Sequence, residues 1–406
     1  MKIAIFTDVY TNGAGGIPVS IAREKRTLEA EGHLVYVFTP GVKKFREKNV
    51  FRVPSVKITR ANGVPFPAPA SIIVRFVLKN YPEVAKFDVI HTHWEAGCSI
   101  AGLKLGKKLG IPTVQTMHGR EDSGIIASFH LGLRCLIAEV LTEVHRSAVP
   151  HRVKVKRGQG KHAKTFPQAK MWELMVAQAN FADAVVCPSE HFSRKLKAYG
   201  VSRPCYVVPN GVEAELLKRV AKLRHFSPEN EPLRIIFSAR VAREKRLLTL
   251  LSALSMLSPD QKYELEVYGR GNELLKARQF AKIKRLKVKF YGNARRETIL
   301  KALDGAHLSA TVSYDYDTQG YTILEAVASG CPVLLSDPDL MESVPEGGGL
   351  VAKDASAEAL AREIRRVFEE PERIEKMSRK IAHGRPEISE TKQAERLVKI
   401  FRDLQA

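Results

Sequence analysis

Residues 234–269, RIIFSARVAREKRLLTLLSALSMLSPDQKYELEVYG, carry the alternation that decides the fold. RIIFSA (234–239) and YELEVYG (263–269) are short apolar runs, and the segment between them has helical spacing. Near-continuous apolar runs suit strands covered on both faces of a parallel sheet, whose successive strands are joined by helical crossovers. The pattern continues through VKFYG (288–292), LSATV (308–312) and PVLLS (332–336). Upstream, a first array uses KIAIF (2–6), LVYVF (34–38), FDVIHTH (87–93), TVQT (113–116), AVVC (184–187) and YVVP (206–209). Helix-period segments such as 17–31 and 99–109 lie between several of these. Two βα arrays without sequence repetition predict an α/β protein of two doubly wound, Rossmann-like domains facing each other across a cleft. PNGVE (209–213) is a turn signal followed by a polar connector to about Leu233, so domains are expected over 1–210 and 211–387. From Ser356 the pattern is helical through to Leu404, without persistent heptads.

The 406 residues suit two domains of roughly 150–200 residues each. No apolar run reaches the ~18 residues that a membrane-spanning helix needs. MKIAIFTDVY has one Lys and a short apolar run interrupted by Asp8, with no small-residue cleavage site, so it reads as a first strand rather than a signal peptide. The five cysteines are scattered and lack metal-ligand spacing, which fits a reducing cytoplasm. The net charge is +21, and residues 1–210 hold 31 Lys+Arg against 15 Asp+Glu. Such an excess favours an anionic partner: a phospholipid surface, nucleic acid or a phosphate-bearing substrate.

Three stretches carry candidate chemistry. In FTDVYTNGAGGIPVS (6–20) a strand ends at Asp8, and Gly13, Gly15 and Gly16 precede a helix. Such a turn either brings backbone N–H groups to an anion or serves only tight packing. GxGxxG in the dinucleotide register and a Walker-type lysine motif are both missing. In SARVAREKR (238–246), Arg240 and Lys245 are prongs for one diphosphate, a bidentate guanidinium and a compact ammonium. Cations at a helix start oppose its dipole, which points to an anion nearby. In SYDYDTQGYTILEAVASGCPV (313–333), Asp317 and Glu325 bracket TQG and the first turns of a helix ending near Gly330. The N–H groups of Gly320, Tyr321 and Thr322 are placed to meet phosphate, Glu325 to accept ribose hydroxyls, and Asp317 to sit nearer the reacting sugar.

The order of these motifs, with PNGV (209–212) between them, resembles the retaining glycosyltransferases of family four. ARVAREK (239–245) answers GRxxxEK, and Asp317-x7-Glu325 answers EX7E. FTDVY, HTH (91–93), TMHG (116–119) and DTQGYTILEA (317–326) are most similar to the membrane-associated diacylglycerol glucosyltransferases within it. The resemblance spans nearly the whole chain and implies a GT-B fold. It makes 1–210 the acceptor-binding domain and 211–387 the nucleotide-sugar-binding one, with a C-terminal helix at about 388–406 packing back on the first. It places Gly15 and Gly16 near the donor phosphates and the acceptor, and His118 against the transferred sugar with Asp317 as its catalytic companion. Arg240 and Lys245 would hold the diphosphate, and Glu325 the ribose. Two departures stand out: Asp317 is one methylene shorter than the usual Glu, and Ala239 replaces the usual Gly.

The activity implied is transfer of a hexose, glucose from UDP-glucose first, to a lipid hydroxyl such as diacylglycerol, with retained configuration. Phosphatidylinositol, a lipid-linked glycan or a soluble sugar are the alternative acceptors. A non-catalytic, basic polyanion-binding protein is the reading from another class. Cations at 240 and 245 would stabilise the leaving nucleoside diphosphate, so neither a metal nor a cofactor beyond the nucleotide sugar is expected. His91 and His93 project to one side of a strand. They would be metal-like, but the sequence shows no third ligand; either one of them, with His93 the candidate, lines an acceptor pocket or both are structural.

Residues 144–170 hold eight Lys+Arg, three His and no acid. Arg146, Arg152, Lys154, Lys156, Arg157, Lys161 and Lys164 are the candidate contacts. The preceding 124–144 is apolar and largely helical. That pairing is expected of an element lying on an anionic bilayer, here the cytoplasmic face of the cell membrane. The alternatives are a core helix with a solvated loop, and a protein or polyanionic glycan partner. Nucleic acid is disfavoured, because Phe166 is the one aromatic in the segment and forms no stacking platform.

Overall fold

The structure is a computed structural model that describes all residues except 11–15, 41–46, 62–63, 96, 129–130, 151, 219–221 and 406. The chain divides into two compact units, Met1–Pro209 with Glu390–Ala406, and Asn210–Ser389.

In the first unit, β1 (Lys2–Thr7), β2 (Leu34–Pro40) and β3 (Val50–Val53) are followed by an antiparallel pair, β4 (Ser55–Ala61) and β5 (Val64–Pro67). Then come β6 (Val89–His93), β7 (Thr113–Thr116), β8 (Ala184–Cys187) and β9 (Cys205–Val207). The sheet order is β3-β2-β1-β6-β7-β8-β9, with every pairing parallel. Both faces are covered, which is why KIAIFT is apolar at consecutive positions. Ala4 and Phe6 join a core with Phe38, Ile73 and Val77, where Phe6 stacks on Phe38 at 4.7 Å. Ile3 and Ile5 face the other way, onto Ile21, Leu28, Leu397 and Phe401. The last two belong to helix Glu390–Asp403, which packs on helix Gly16–Ala30 and pairs Glu390 Oε2 with Arg26 Nη2 at 2.9 Å. Fully burying each such apolar side chain contributes about 1.5–3 kcal/mol, enough to fasten the last helix to the first unit.

The second unit uses β10 (Leu233–Ser238), β11 (Tyr263–Tyr268), β12 (Val288–Gly292), β13 (Leu308–Thr311), β14 (Val333–Leu335) and β15 (Gly349–Val351). Its order is β12-β11-β10-β13-β14-β15, again all parallel. The C-terminal helical pattern is three helices, Ala357–Glu369, Glu372–Gly384 and Glu390–Asp403. Pro371 and Pro386 fall at the two breaks, as residues without a backbone N–H should.

In each sheet the strand order reverses once, between β1 and β6 in the first unit and between β10 and β13 in the second. Ligands of open α/β sheets gather at the carboxyl ends of the strands flanking such a reversal. Asp8 and Trp94 follow those ends in one unit, and Ala239 and Val312 in the other.

Candidate active site

After β10 the backbone runs through Arg240 into a short turn, Arg243–Lys245, and then helix Leu247–Leu254. Two glycines make room for this path. A Cβ on Gly269 would lie 1.9 Å from the carbonyl oxygen of Ala239, and one on Gly271 would lie 2.1 Å from that of Val241. The backbones are stitched by Ala239 N–H to Tyr268 O (3.1 Å) and Val241 N–H to Arg270 O (3.0 Å). Both loops of the site carry a left-handed non-glycine residue, Arg246 at φ 55° and Asp315 at φ 50°. Backbone strain of this kind clusters at functional sites. The Asp337 carboxylate accepts from Asp315 N–H at 2.6 Å and holds the second loop in place.

The site these loops carry is a linked set of ions. Lys245 Nζ donates to Asp317 Oδ1 at 2.5 Å, and Ser313 Oγ donates to Asp317 Oδ2 at 2.5 Å. The Lys245 ammonium also stands 5.2 Å from the Tyr316 ring centre. Arg240 pairs with Glu244 at 2.5 Å, its side chain more than half exposed. Gly320 caps helix Tyr321–Ala328, which places the N–H groups of Tyr321 and Thr322 in its first turn. The Thr322 hydroxyl lies 3.5 Å from that of Thr311 at the end of β13. Glu325, on the buried side of the helix, accepts from Arg296 Nε at 2.5 Å. Arg296 in turn makes a bidentate pair with Glu213 at 3.1 and 2.8 Å. The helix ends at Ala328, with Gly330 at φ 74° and Cys331 N–H returning to Ala326 O. Arg296 and Glu213 were missed in the sequence because no spacing links positions 83 residues apart. Nor did either glycine of YGRGN (268–272) carry a signal of its own.

In the first unit His91 and His93 project from one face of β6, their ring centres 4.1 Å apart, and both are buried. Glu24, from helix Gly16–Ala30, meets them: its Oε1 is 2.7 Å from His91 Nδ1 and 3.4 Å from His93 Nε2. It is the third ligand-capable neighbour that the His-x-His spacing does not reveal, and the three offer atoms within 4.8 Å of one another. They sit as a hydrogen-bonded network, because the other nitrogen of His91 is engaged by Thr116 Oγ1 at 2.7 Å. His93 Nδ1 lies 2.8 Å from His118 Nε2, so a carboxylate, His93 and His118 stand in line. Burial opposes ionisation of Glu24, but His91 and His93 outweigh it and hold the carboxyl well below its usual range. Burial, and then His93, push the His118 imidazole well below its ordinary value, so it is neutral near pH 7. Gly16 begins helix Gly16–Ala30, whereas Gly13 and Gly15 lie outside the described residues. Asp8 caps helix Gly97–Leu109 by accepting from Cys98 N–H (2.8 Å) and Ser99 N–H (3.4 Å).

The basic stretch follows helix Leu131–Ala148 as an ordered turn, tied down by Val155 N–H to Glu173 (3.2 Å) and His162 N–H to the Tyr199 hydroxyl (2.9 Å). Arg152, Lys154, Lys156, Arg157, Lys161 and Lys164 are all exposed. Arg146 differs, being held by Glu143 and by Glu173 at 2.9 Å. The preceding helix exposes Leu133 (53%), Leu136 (63%), Val140 (53%) and Val144 (64%), a stripe at helical spacing along one face. No helix among the described residues is long and apolar enough to cross a membrane.

Two Rossmann-like units, one with cations and carboxylates gathered at its strand-order reversal, define a GT-B glycosyltransferase. The chain belongs to glycosyltransferase family 4, whose profile matches residues 14–216, and the profile of glycosyl transferases group 1 matches residues 221–383. It is 29% identical over 355 residues to alpha-monoglucosyldiacylglycerol synthase of Streptococcus pneumoniae, covering 82% of this chain and 70% of that one. It is 22% identical over 392 residues to the GDP-mannose-dependent alpha-(1-6)-phosphatidylinositol dimannoside mannosyltransferase of Mycobacterium tuberculosis, covering 96% and 92%. Among solved structures, Anabaena HepE in complex with UDP superposes with a TM-score of 0.71 at 17% identity, over 99% of this chain and 100% of that one. Sucrose-phosphate synthase from Thermosynechococcus elongatus gives 0.69 at 18%, over 99% and 98%.

Proposed function

We propose that this glycosyltransferase moves a hexose, glucose from UDP-glucose, to the hydroxyl of a membrane lipid such as diacylglycerol, with retention and without a metal. The observation that carries the lipid acceptor is the exposed Leu133–Leu136–Val140–Val144 stripe, followed in the chain by six exposed cations from Arg152 to Lys164. An apolar helix face with a basic flank suits the interface of an anionic bilayer, where each nearby basic residue is worth about 1 kcal/mol. The enzyme would therefore work as a peripheral protein on the cytoplasmic leaflet. The diacylglycerol and phosphatidylinositol dimannoside in its relatives' names support a lipid acceptor.

At the donor, Lys245 exchanges the Asp317 carboxylate for diphosphate, and Arg240 adds a second cation. The N–H groups of Gly320, Tyr321 and Thr322 supply further phosphate contacts. Glu325, aligned by Arg296, takes the ribose hydroxyls. Asp317 bears on the transferred sugar as C1 becomes oxocarbenium-like. Cations already in place stabilise the negative charge that develops on the leaving diphosphate.

Incubation of the purified protein with radiolabelled UDP-glucose and diacylglycerol vesicles containing an anionic lipid should give an α-linked glycolipid, unaffected by EDTA. Transfer confined to a soluble sugar would sink the lipid acceptor. A preference for GDP-mannose with phosphatidylinositol would redirect both substrates, and a β-linked product would exclude retention.

A further inference from the structure

The turn Trp94–Glu95, at the carboxyl end of β6, has no part in the donor cluster or the histidine network. Trp94 sits at φ 71°, in the left-handed region that a bulky side chain rarely enters. The surroundings hold it there. Gln115 Nε2 and Gln178 Nε2 both donate to its carbonyl, at 2.9 and 3.1 Å, and its indole N–H donates to Glu121 Oε1 at 2.8 Å. The next residue, Glu95, is 6% exposed, and among the described residues no other group hydrogen-bonds either of its carboxyl oxygens. Its buried acidic neighbours in this unit are satisfied: Asp8 by Cys98 and Ser99, Glu24 by His91 and Asp122 by Arg120. A buried carboxyl without a partner destabilises a fold, and so does a left-handed tryptophan. The two occur side by side, at the strand-order reversal where open α/β sheets bind ligands. Selection for stability alone would have removed both.

We propose that Glu95 is an acceptor-binding residue whose carboxyl group grips the hydroxyl-bearing head of the molecule that receives the sugar. The inference rests on the transferase reading above and adds a site to it. Burial, then the neighbouring Glu121, raise the Glu95 carboxyl well above its usual range, which favours its neutral form. A neutral carboxyl donates through its O–H and accepts through its carbonyl oxygen, which suits an acceptor head that offers both a hydroxyl and a carbonyl oxygen. Glu95 is a binding group in this scheme and exchanges no proton with the substrate.

Two variants test the idea, Glu95→Leu and Glu95→Gln, each compared with the wild type for acceptor KM, donor KM, UDP-glucose hydrolysis without acceptor, and Tm. Glu95→Leu should raise the acceptor KM roughly 10-fold, the value of about one lost hydrogen bond. Its donor KM and hydrolysis should stay at the wild-type level, and its Tm should be unchanged or higher, because an unsatisfied polar group has gone. Glu95→Gln, shaped like the neutral acid, should keep the acceptor KM within about 3-fold, below the effect of one lost hydrogen bond. A wild-type acceptor KM in Glu95→Leu would overturn the proposal, as would a Glu95→Gln variant with full hydrolysis but no transfer, which would mark an ionised base. If the wild type glycosylates a soluble polyol and no lipid, the lipid reading fails while the same comparison on that polyol still decides Glu95.

Discussion

Lys245 and Asp317, 72 residues apart in two different motifs, meet at 2.5 Å in the second unit. The cation that should grip the donor diphosphate is held by the acid that departs from the family pattern. The pair is partly buried, with side chains 21% and 13% exposed, so removing either partner leaves a charge that is poorly hydrated. On the proposed role of Lys245, donor binding would be a competition between diphosphate and carboxylate for one ammonium.

Lys245→Ala is therefore expected to lower kcat/KM for the donor by at least ~100-fold, the scale of losing a charge-stabilising donor in the transition state. Asp317→Asn should tighten UDP binding several-fold, since the ammonium loses its internal competitor, while turnover falls. Calorimetric titration with UDP beside steady-state kinetics checks both. Equal UDP affinity in wild type and Asp317→Asn would show that the pair does not compete with the donor.

Arg296 bridges Glu325 and Glu213, and so positions the proposed ribose ligand. Arg296→Ala should raise the donor KM roughly 10-fold with kcat within about 3-fold, the pattern of lost uniform binding. Arg296→Lys should not restore it, because an ammonium cannot make the planar fork that spans two carboxylates. A fall in kcat with donor KM unchanged would contradict this assignment.

Burial lowers the His145 pKa to about 4 from 6.5, partly offset by the Gln178 contact at 3.2 Å. Below pH 6.5 the unfolded chain takes up a proton that the folded chain refuses, so stability falls as pH drops from about 6.5 towards 4. Asp8, raised to about 6, has the opposite sign: its folded form holds a proton the unfolded chain has lost, and stability falls as pH rises from about 4 to 6. His145→Leu should flatten the acid side of a curve of unfolding free energy against pH by up to about 3 kcal/mol at pH 4. An unchanged acid limb would show that His145 takes up its proton without unfolding.

Leu136→Asp with Val140→Asp should cut sedimentation with anionic vesicles at least ~10-fold, since charge on an interfacial apolar face opposes insertion. The Tm should hold, because both side chains are more than half exposed. Charge reversal of Lys154, Lys156 and Arg157 should weaken binding and reduce its salt dependence. Vesicle binding indifferent to both sets would leave the stripe and the turn without a membrane role.

Some of this was legible from residues alone. TVQT, AVVC and VKFYG appear as strands at the positions where they were read, because runs buried on both faces must be apolar throughout. The helix after Gly320 ends as expected, since Gly330 takes a positive φ that other residues resist. Strands β3, β4, β5 and β15 were missed. β3, β5 and β15 are three or four residues long, too few positions for hydrophobic periodicity to register, and the seven-residue β4 (SVKITRA) has only Val56 and Ile58 as large apolar positions.

What the sequence by itself determined was the class of structure and the identity of the charged groups. Alternating apolar runs demand a covered parallel sheet, and the motif order from Arg240 to Glu325 marks a glycosyltransferase. The tertiary structure alone decided the pairings: Lys245 with Asp317, Arg296 between Glu213 and Glu325, Glu24 beneath His91 and His93, and Glu95 buried with no other group among the described residues hydrogen-bonding its carboxyl. Side-chain chemistry is written locally, but which charges neutralise one another depends on how parallel strands bring distant loops to the same sheet edge.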